Sequence, residues 1–340
     1  MQFRPSDSCL DEAQGCEYAC VVKSENFREL EAFIGANPAL EARWSVVGTG
    51  DRRWGEKSHA AGNCWMMSRY TVPGMIGEAG ASKDSYGFWV PLHGGRWRIN
   101  GVDLDLDGIA VSEPNSEFCG SCVGEEGWHL FHVPSHLLEE AFGEQRRRHP
   151  YLYVVPHQRE RGDVVRAVFR RVAEAIAENP SIESSPAMRM VEADLRSILE
   201  PLVGLVIGGG RAVVPAGDDR QRLSRREIIF RSKAVLGERE DQPLHVSELA
   251  RLVGVSERTL RRAFSEYFCV GPRTYLLLRQ LHQVHRDLLA SHPEQTTVTG
   301  VLMRWGVWEL GRFAGRYKRH FGESPSRTLL RPPIPTEQHG

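Results

Sequence analysis

Three arginines recur at short intervals in residues 258–262, in the last third of the chain. On a helix, at about 100° per residue, Arg258, Arg261 and Arg262 share one face with Ser265. The opposite face is apolar and consists of Leu260, Ala263, Phe264, Tyr267 and Phe268. A guanidinium group can donate to two acceptors of guanine at once or clamp a phosphate. The spacing therefore predicts a helix that is buried along one face and binds nucleic acid with the other.

The residues before this helix predict another helix and a tight turn. Ser247 is suited to cap the first helix, Gly254 to end it in the left-handed conformation, and Ser256 to cap the arginine-bearing helix. Helix, turn and helix in this order predict a helix-turn-helix unit at residues 246–268. Thr259, in the first turn of the second helix, joins the set of residues expected to face DNA.

Residues 298–313 repeat this pattern, with Gly306 at the turn 52 residues after Gly254. The second helix of this copy is expected to bury Leu310, Phe313, Tyr317 and Phe321 and to expose Gly311, Arg312, Gly315, Lys318 and Arg319. Each glycine costs about 1 kcal/mol of helix propensity relative to alanine. Such a face has few groups for base recognition but permits close approach of a backbone. We therefore expect the first unit to carry most of the sequence specificity.

A long amphipathic helix is predicted between the two copies. Pro272 is suited to its first position, and residues 273–289 place Tyr275, Leu276, Leu281, Leu288 and Leu289 on apolar positions. One rigid helix would fix the separation of the two units. The units could then enter adjacent major-groove faces, which are about 34 Å apart.

The charge distribution separates the same region from the rest of the chain. Residues 222–331 hold 20 Lys and Arg against 11 Asp and Glu, whereas residues 1–221 hold 23 against 32, and the whole chain has a net charge of -1. A basic segment on a neutral chain is typical of a polyanion partner. No apolar run is long enough for a membrane helix, and residues 1–10 lack the apolar stretch of a secretory signal, so we expect a cytoplasmic protein without membrane contact. Seven cysteines, an odd number, favour reduced thiols.

The N-terminal part has the pattern of a β structure. Short β-like runs lie between turn residues at Cys64–Tyr70, Gly87–Leu92, Trp97–Ile99, Ile109–Ser112 and Trp128–Val133. Asn100-Gly101 predicts a type I′ hairpin between residues 96–99 and 102–104, because both residues accept positive φ. Many short strands with such turns suggest a sandwich or small barrel.

Helical periodicity surrounds and follows these strands. It predicts a short helix at Phe27–Ile34 and then helices at Pro134–Phe142, Asp163–Glu178 and Ala187–Val206. The apolar stripe of the last helix could form a dimer seam or an ordinary core face. Residues 208–221, which contain three successive glycines, predict a linker. The expected organisation is α+β, with a sensor or dimerisation domain at 1–207, an all-α DNA-binding domain at 222–331, and a disordered tail at 332–340.

The two C-terminal units resemble the AraC/XylS family of bacterial transcription regulators over about residues 225–330. The matching residues are Leu249-Ala250, Gly254-Val255-Ser256, Leu260, Phe264, Gly306, Phe313, Tyr317 and the run from Phe321 to Ser326. The resemblance implies that both units bind DNA. By position, the base-facing residues are Arg258, Arg261 and Arg262 in the first unit and Leu310, Gly311, Arg312 and Gly315 in the second. The second unit departs further from the family, for example where Val307 replaces the usual phenylalanine.

The resemblance also implies the organisation and partners of the whole protein. Relatives often carry a cupin-like β domain that binds a small effector or mediates dimerisation. By resemblance we expect a transcription activator that acts on double-stranded promoter DNA as a homodimer together with RNA polymerase. The expected effector pocket would be lined by Trp65, Tyr86, Trp89, His93, Trp97 and Trp128, because aromatic walls are typical of small-molecule sites.

Three other interpretations fit parts of the sequence. Cys119 and Cys122 have the two-residue spacing of redox or zinc pairs, with Cys9, Cys16 and Cys20 as further ligands, but a lone pair is a weak signal. His129 and His132 could be ligands of a metal-dependent cupin-like enzyme, although a spacing of three on a strand places them on opposite faces. The helical domain could also dock a protein without binding DNA. We expect no cofactor, no metal and no catalytic residue.

Overall fold

The computed structural model describes residues 22–27, 30, 42–47, 53–61, 64–72, 74–92, 96–123, 126–136, 152–178, 193–194, 197–198, 202, 204–205, 223–239 and 243–331. The chain forms two compact units. One comprises Met1–Trp44 and Arg52–Ala216, and the other comprises Ser45–Asp51 and Gly217–Gly340.

The described strands, nearly all of them within the N-terminal unit, form two sheets. In chain order the strands are β1 (Val22–Phe27), β2 (Ala42–Val46), β3 (Arg53–Ala61), β4 (Cys64–Val72), β5 (Met75–Gly80), β6 (Ser85–Pro91), β7 (Arg96–Ile99), β8 (Val102–Leu104), β9 (Ile109–Ser112), β10 (Glu117–Val123), β11 (Glu126–Pro134) and β12 (Tyr153–Val155). The seven-stranded sheet has the order β1-β3-β4-β11-β6-β9-β12, and the five-stranded sheet has the order β2-β5-β10-β7-β8.

The predicted hairpin is confirmed at β7 and β8. Ile99 pairs with Val102, and Asn100 and Gly101 both have positive φ, 50° and 84°. These are the backbone angles that a type I′ turn requires. The side chain of Asn100 is also buried, and its amide donates to the Leu152 carbonyl at 2.8 Å, which satisfies this polar group.

The core of this unit lies between the two sheets and is rich in aromatic rings. Trp97 of β7 contacts Trp128 of β11, with ring centroids 4.8 Å apart. Trp89 of β6 contacts Phe118 of β10 at 5.3 Å. Each pair joins one strand of each sheet, so the sheets are packed face to face.

The five predicted strands are all present, with boundaries that differ by up to two residues. The sequence interpretation missed β1, β2, β3, β5, β10 and β12. It also placed Phe27 in a helix, which is wrong, because Phe27 ends β1 and pairs with Trp54. Leu30 is helical and buried as expected; the other members of that pattern lie outside the described residues.

Helix α1 follows the strands and spans Arg159–Glu178. The predicted start at Asp163 was four residues too late, because the helical hydrogen bonding already includes the Gln158 carbonyl, which accepts from Gly162. The predicted helix at 134–142 is described only to His136, and its first residue belongs to β11. Most of the predicted helix at 187–206 lies outside the described residues, but Ile198, Leu202 and Leu205 are buried within the chain.

From residue 223 onward, the described elements of the C-terminal unit are all helices. Its helices are α2 (Arg225–Glu238), α3 (Val246–Val253), α4 (Glu257–Phe268), α5 (Pro272–Ala290), α6 (Val298–Arg304), α7 (Leu310–Phe321) and α8 (Pro325–Leu329). The α+β class, with a β domain followed by an all-α domain, is therefore confirmed. Among the described residues, no helix combines the length and the apolar character needed to cross a membrane.

Candidate DNA-binding site

Helices α3 and α4 form the first helix-turn-helix unit. Gly254 ends α3 in the left-handed conformation, with φ 81° and ψ 32°, and donates to the carbonyls of Ala250 and Arg251. The Ser256 hydroxyl caps α4 by accepting from the Thr259 amide at 3.2 Å. Both predictions are confirmed. The predicted cap at Ser247 is wrong, because α3 begins at Val246 and the His245 carbonyl already accepts the first helical hydrogen bond.

The predicted apolar face of α4 is buried residue for residue. Its buried members are Leu260, Ala263, Phe264, Tyr267 and Phe268. The rings of Phe264 and Phe268 both contact Tyr275 of α5, at centroid distances of 5.2 and 4.8 Å. Burial of one such ring stabilises the fold by about 1.5–3 kcal/mol. This packing fixes which side of α4 is directed outward.

The outward side of α4 holds the residues expected to face DNA. Its exposed members are Arg258, Thr259, Arg261, Arg262 and Ser265. Thr259 also has its hydroxyl 2.8 Å from that of Ser256, so it belongs to the cap of the helix. Within the part of the chain that the structure describes, no carboxylate forms an ion pair with any of the three arginines. By contrast, Glu266 on the flank of α4 is paired with Arg225 at 2.7 Å.

Helices α6 and α7 form the second unit, with a longer turn than the first. Three residues separate α3 from α4, whereas five residues, 305–309, separate α6 from α7. The spacing is therefore not an exact repeat. Gly306 has φ 65°, and a Cβ there would overlap the ring of Pro243. The side chain of Trp308 within this turn is 77% exposed.

The N-terminus of α7 differs from that of α4. Its N-cap residue is Glu309, whose side chain makes no capping hydrogen bond. The Glu309 carboxylate instead pairs with Arg312 at 3.1 Å, and both side chains are more than 60% exposed. The first turn of α7 therefore lacks the hydroxyl cap that stabilises α4.

The faces of α7 follow the prediction with two corrections. Gly311, Arg312, Gly315, Lys318 and Arg319 are exposed, whereas Phe313 and Tyr317 are buried. Leu310 and Phe321 were expected to be buried but are only partly so, although both pack against the core cluster of this unit. His320 is buried and was missed, because histidine is not counted in an apolar stripe.

A buried polar network supports the second unit from below. The Tyr317 hydroxyl lies 2.6 Å from His285 Nδ1 and donates to the Thr328 hydroxyl at 2.9 Å. Thr328 donates in turn to Glu323 at 2.8 Å, and Arg331 pairs with the same carboxylate at 2.9 Å. The network joins α5, α7 and α8. The network gives a structural role to Tyr317 and Glu323, two residues of the sequence pattern that resembles the AraC/XylS family.

Helix α5 connects the two units as predicted, with Pro272 at its start. Of its five predicted apolar positions four are buried and Leu276 is half-buried, and the sequence interpretation missed the buried His282, Gln283 and His285. At its C-terminal end, Asp287 accepts from the Trp305 indole at 2.8 Å. Gln280 donates to the Trp305 carbonyl at 2.8 Å. These bonds attach the longer turn to α5.

The predicted aromatic set of the β domain is only partly brought together. Trp89, Trp97 and Trp128 are buried between the sheets. Tyr86 is buried on the opposite face of β6 from Trp89, because three residues of a regular strand separate them. The side chain of Trp65 and the whole of His93 lie outside the described residues.

The two residue pairs considered as metal or redox sites each lie on a single strand, with the two members on opposite faces. Cys119 and Cys122 lie on opposite faces of β10, and Cys122 Sγ accepts from the Met75 amide at 3.0 Å. His129 and His132 are likewise three residues apart on β11, and complete burial lowers the pKa of His132 to about 3. Cys9, Cys16 and Cys20 lie outside the described residues. The described residues contain no group of three or more His, Cys, Asp or Glu that could hold a metal ion.

Comparison with known proteins places the similarity in the C-terminal unit. A helix-turn-helix domain family matches residues 249–331. The chain is 41% identical over 93 residues to the "Probable thc operon regulatory protein" of Rhodococcus erythropolis, covering 27% of this chain and 28% of that protein. It is 32% identical over 90 residues to the "XylDLEGF operon transcriptional activator 3" of Pseudomonas putida, covering 26% and 27%. The chain thus matches about a quarter of the length of these curated relatives.

A solved structure, that of the AraC-like transcriptional activator CuxR, is similar over a longer stretch, 77% of this chain and 94% of that one, but at 14% identity and a TM-score of 0.33. The matched family, the named relatives and the two units with their caps and turns lead to the same assignment. Residues 249–331 of this chain form a helix-turn-helix domain that is similar to the corresponding segments of these operon regulators, in agreement with the AraC/XylS resemblance of the sequence.

Proposed function

We propose that the chain is a sequence-specific DNA-binding transcription regulator, most simply an activator. One observation carries the proposal. The recognition helix α4 presents Arg258, Arg261 and Arg262 outward without carboxylate partners among the described residues, on a unit whose turn and cap are satisfied. Such a face matches the acceptors of guanine in the major groove. The relatives at 41% and 32% identity are named as regulators of operons, which supports the same function.

The two units have different roles in this proposal. In the first, the three arginines and Ser265 contact base edges, and Thr259 contacts the backbone beside its cap. In the second, Arg312, Lys318 and Arg319 contact phosphates, while Leu310, Gly311 and Gly315 let the helix approach the duplex closely. Helix α5, with 19 residues, is about 28 Å long. This length is close to one turn of DNA, about 34 Å, so the units can occupy successive turns of the groove.

The N-terminal residues 1–207 are proposed to sense a small effector. The support is the aromatic interior between the sheets, where the indole N–H groups of Trp97 and Trp128 are buried without a hydrogen-bond partner. A buried donor without a partner costs free energy, about 1–3 kcal/mol, which a ligand with an acceptor would offset. A thermal-shift screen of metabolites on the full chain tests this role, and a Trp128→Ala variant should lose the response to any ligand found.

The remaining features of the proposal concern organisation. Residues 208–221 act as a linker between the sensor domain and the DNA-binding domain at 222–331, followed by a tail at 332–340. The sensor domain is cupin-like and mediates a homodimer, and the DNA-bound protein contacts RNA polymerase. The protein acts in the cytoplasm, where promoter DNA is located, and catalyses no reaction.

The experiment is a binding titration by fluorescence anisotropy with labelled duplexes from the promoter region of its own gene. We expect Arg262→Ala to weaken binding to the preferred duplex by about 5- to 150-fold, the effect of one lost base contact. The matched control is Arg231→Ala, which removes an exposed arginine of α2 paired with Glu227. This control should retain the wild-type affinity within about twofold.

Two results would contradict the proposal. If no duplex is retained, or if the affinity for DNA does not change with salt, the helical domain docks a protein instead of reading DNA. If the purified protein carries stoichiometric metal and DNA binding is absent, the cupin-like enzyme alternative gains support.

A further inference from the structure

Trp308 is the most exposed of the large apolar residues that the structure describes in this domain, at 77%. It lies in the five-residue turn before the second recognition helix α7, in the part that lengthens this turn relative to the first. An apolar side chain that stays in contact with water does not gain the favourable free energy of burial. A partner that covers Trp308 would recover this free energy.

A purely structural role does not explain this position. A hydrophobic residue just before an N-cap often packs against the fourth residue of the helix, which here is Phe313. Phe313 is 4% exposed and belongs to the core cluster, together with Val307 of the same turn. Trp308 remains exposed beside them. The core of the second unit is therefore complete without the Trp308 ring.

The surroundings of Trp308 are cationic. Residues 298–321 hold five Lys and Arg against one Asp or Glu, whereas residues 246–268 of the first unit hold four against three. The single carboxylate, that of Glu309, is already paired with Arg312. Arg312, Lys318 and Arg319 are exposed on the helix that follows Trp308. This charge is complementary to a phosphate backbone, so the surface fits duplex DNA better than an apolar or basic protein.

The outward side of α7 leaves space for that partner. A Cβ added at Gly311 or Gly315 would meet no atom within 4 Å, so nothing in the fold requires glycine at either position. The indole face has no hydrogen-bond acceptor and offers an apolar surface. In the major groove, the apolar group presented by a base is the C5 methyl of thymine.

We propose that Trp308 contacts DNA and recognises a thymine methyl group in the half-site occupied by the second unit. The second unit thus contributes a specificity element through apolar contact, although it lacks the arginine face of the first. This inference rests on the proposed DNA-binding function. It adds a base-recognition residue that the sequence pattern of the recognition helices does not include.

The test combines a protein variant with a base analogue. The full-length protein first selects a preferred duplex from a pool with a randomised core. Each thymine of that duplex is then replaced by deoxyuridine, which lacks only the C5 methyl, and the affinity is measured for wild type and Trp308→Ala. We expect Trp308→Ala to weaken binding by at least about tenfold, as for an aromatic ring that is no longer buried. Deoxyuridine at one or two positions should weaken wild-type binding by about fourfold, as for one methyl group.

The decisive result is the combination of the two changes. In Trp308→Ala the sensitive deoxyuridine positions should cause no further loss of affinity. Leu330→Ala is the matched control, because Leu330 is 73% exposed and lies outside both helix-turn-helix units. This variant should bind DNA with the affinity of wild type. Circular dichroism should show unchanged helix content in both variants.

Every other outcome overturns the inference. If wild type selects no duplex, the proposed function itself fails. If Arg262→Ala weakens binding but Trp308→Ala does not, DNA binding stands and only the role of Trp308 is wrong. If Trp308→Ala binds DNA normally but activates transcription less in a reconstituted reaction, the partner is a protein. If deoxyuridine has the same effect on both proteins, Trp308 does not contact the methyl group.

Discussion

The two helix-turn-helix units share a scaffold but present different surfaces. The first exposes Arg258, Arg261 and Arg262 on a helix capped by a serine hydroxyl. The second exposes two glycines, has an uncapped helix start, and carries Trp308 in a longer turn. The difference shows that one scaffold geometry can carry two different outward faces. In the proposed function, the side chains on the outward face and the length of the turn determine how each unit contacts DNA.

The largest expected effect is on the free energy of unfolding and distinguishes alanine substitutions at the two turn glycines, Gly254 and Gly306. Both have positive φ, 81° at Gly254 and 65° at Gly306, so alanine at either adds strain of about 1–2 kcal/mol. Nothing lies within 4 Å of a Cβ at Gly254, whereas at Gly306 the Cβ would overlap Pro243. We therefore expect Gly306→Ala to destabilise the domain by about 3–5 kcal/mol, because overpacking adds to the strain. Urea unfolding followed by circular dichroism at 222 nm measures both variants, and equal losses would mean that Pro243 moves aside freely.

A smaller effect is expected from the polar network of the second unit. Tyr317→Phe removes the hydroxyl between His285 and Thr328 and should destabilise the fold by about 1–3 kcal/mol, because buried polar groups lose a partner. Phe264 occupies the corresponding place in the first unit and packs on the ring of Tyr275. The reciprocal Phe264→Tyr should also destabilise, since it buries a hydroxyl in an apolar cluster. If Tyr317→Phe and wild type have the same midpoint of unfolding in urea, the network does not stabilise the second unit.

The smallest effect concerns phosphate contact. Lys318→Ala should weaken binding by a similar factor, about two- to fivefold, on preferred and unrelated duplexes, and should lower the slope of log affinity against log salt by about 1. Titrations between low and moderate salt on both duplexes measure this. A loss confined to the preferred duplex would place Lys318 among the base-contacting residues instead.

The first unit could be predicted from the sequence almost residue by residue because its determinants are local. Helical spacing identified the buried face of α4, and the residue types at Gly254 and Ser256 identified the turn and cap. The second unit was predicted less well. The network of His285, Tyr317 and Thr328 joins helices that are distant in sequence, and the role of Pro243 beside Gly306 depends on the same tertiary approach.

The β domain shows the same limit. The hairpin at Asn100-Gly101 was predicted because its turn requires those residue types. Strand β10 was missed because it is buried throughout most of its length and contains glycine and cysteines, so it lacks the alternation that marks a half-buried strand. The aromatic residues were recognised as a set, but which of them share the interior depends on strand register. Register placed Tyr86 and Trp89 on opposite faces of β6.

The most direct test of the central claim is the specificity ratio, the affinity for a selected duplex divided by that for a scrambled one. It is measured at fixed salt for wild type, for the triple variant Arg258→Ala, Arg261→Ala and Arg262→Ala, and for the double variant Lys318→Ala and Arg319→Ala. If the first unit supplies most of the specificity and the cations of the second position it, the triple variant lowers the ratio to the roughly fourfold preference that the contact of Trp308 with a thymine methyl leaves. The double variant then lowers both affinities and leaves the ratio unchanged. A triple variant that keeps the wild-type ratio would contradict this account.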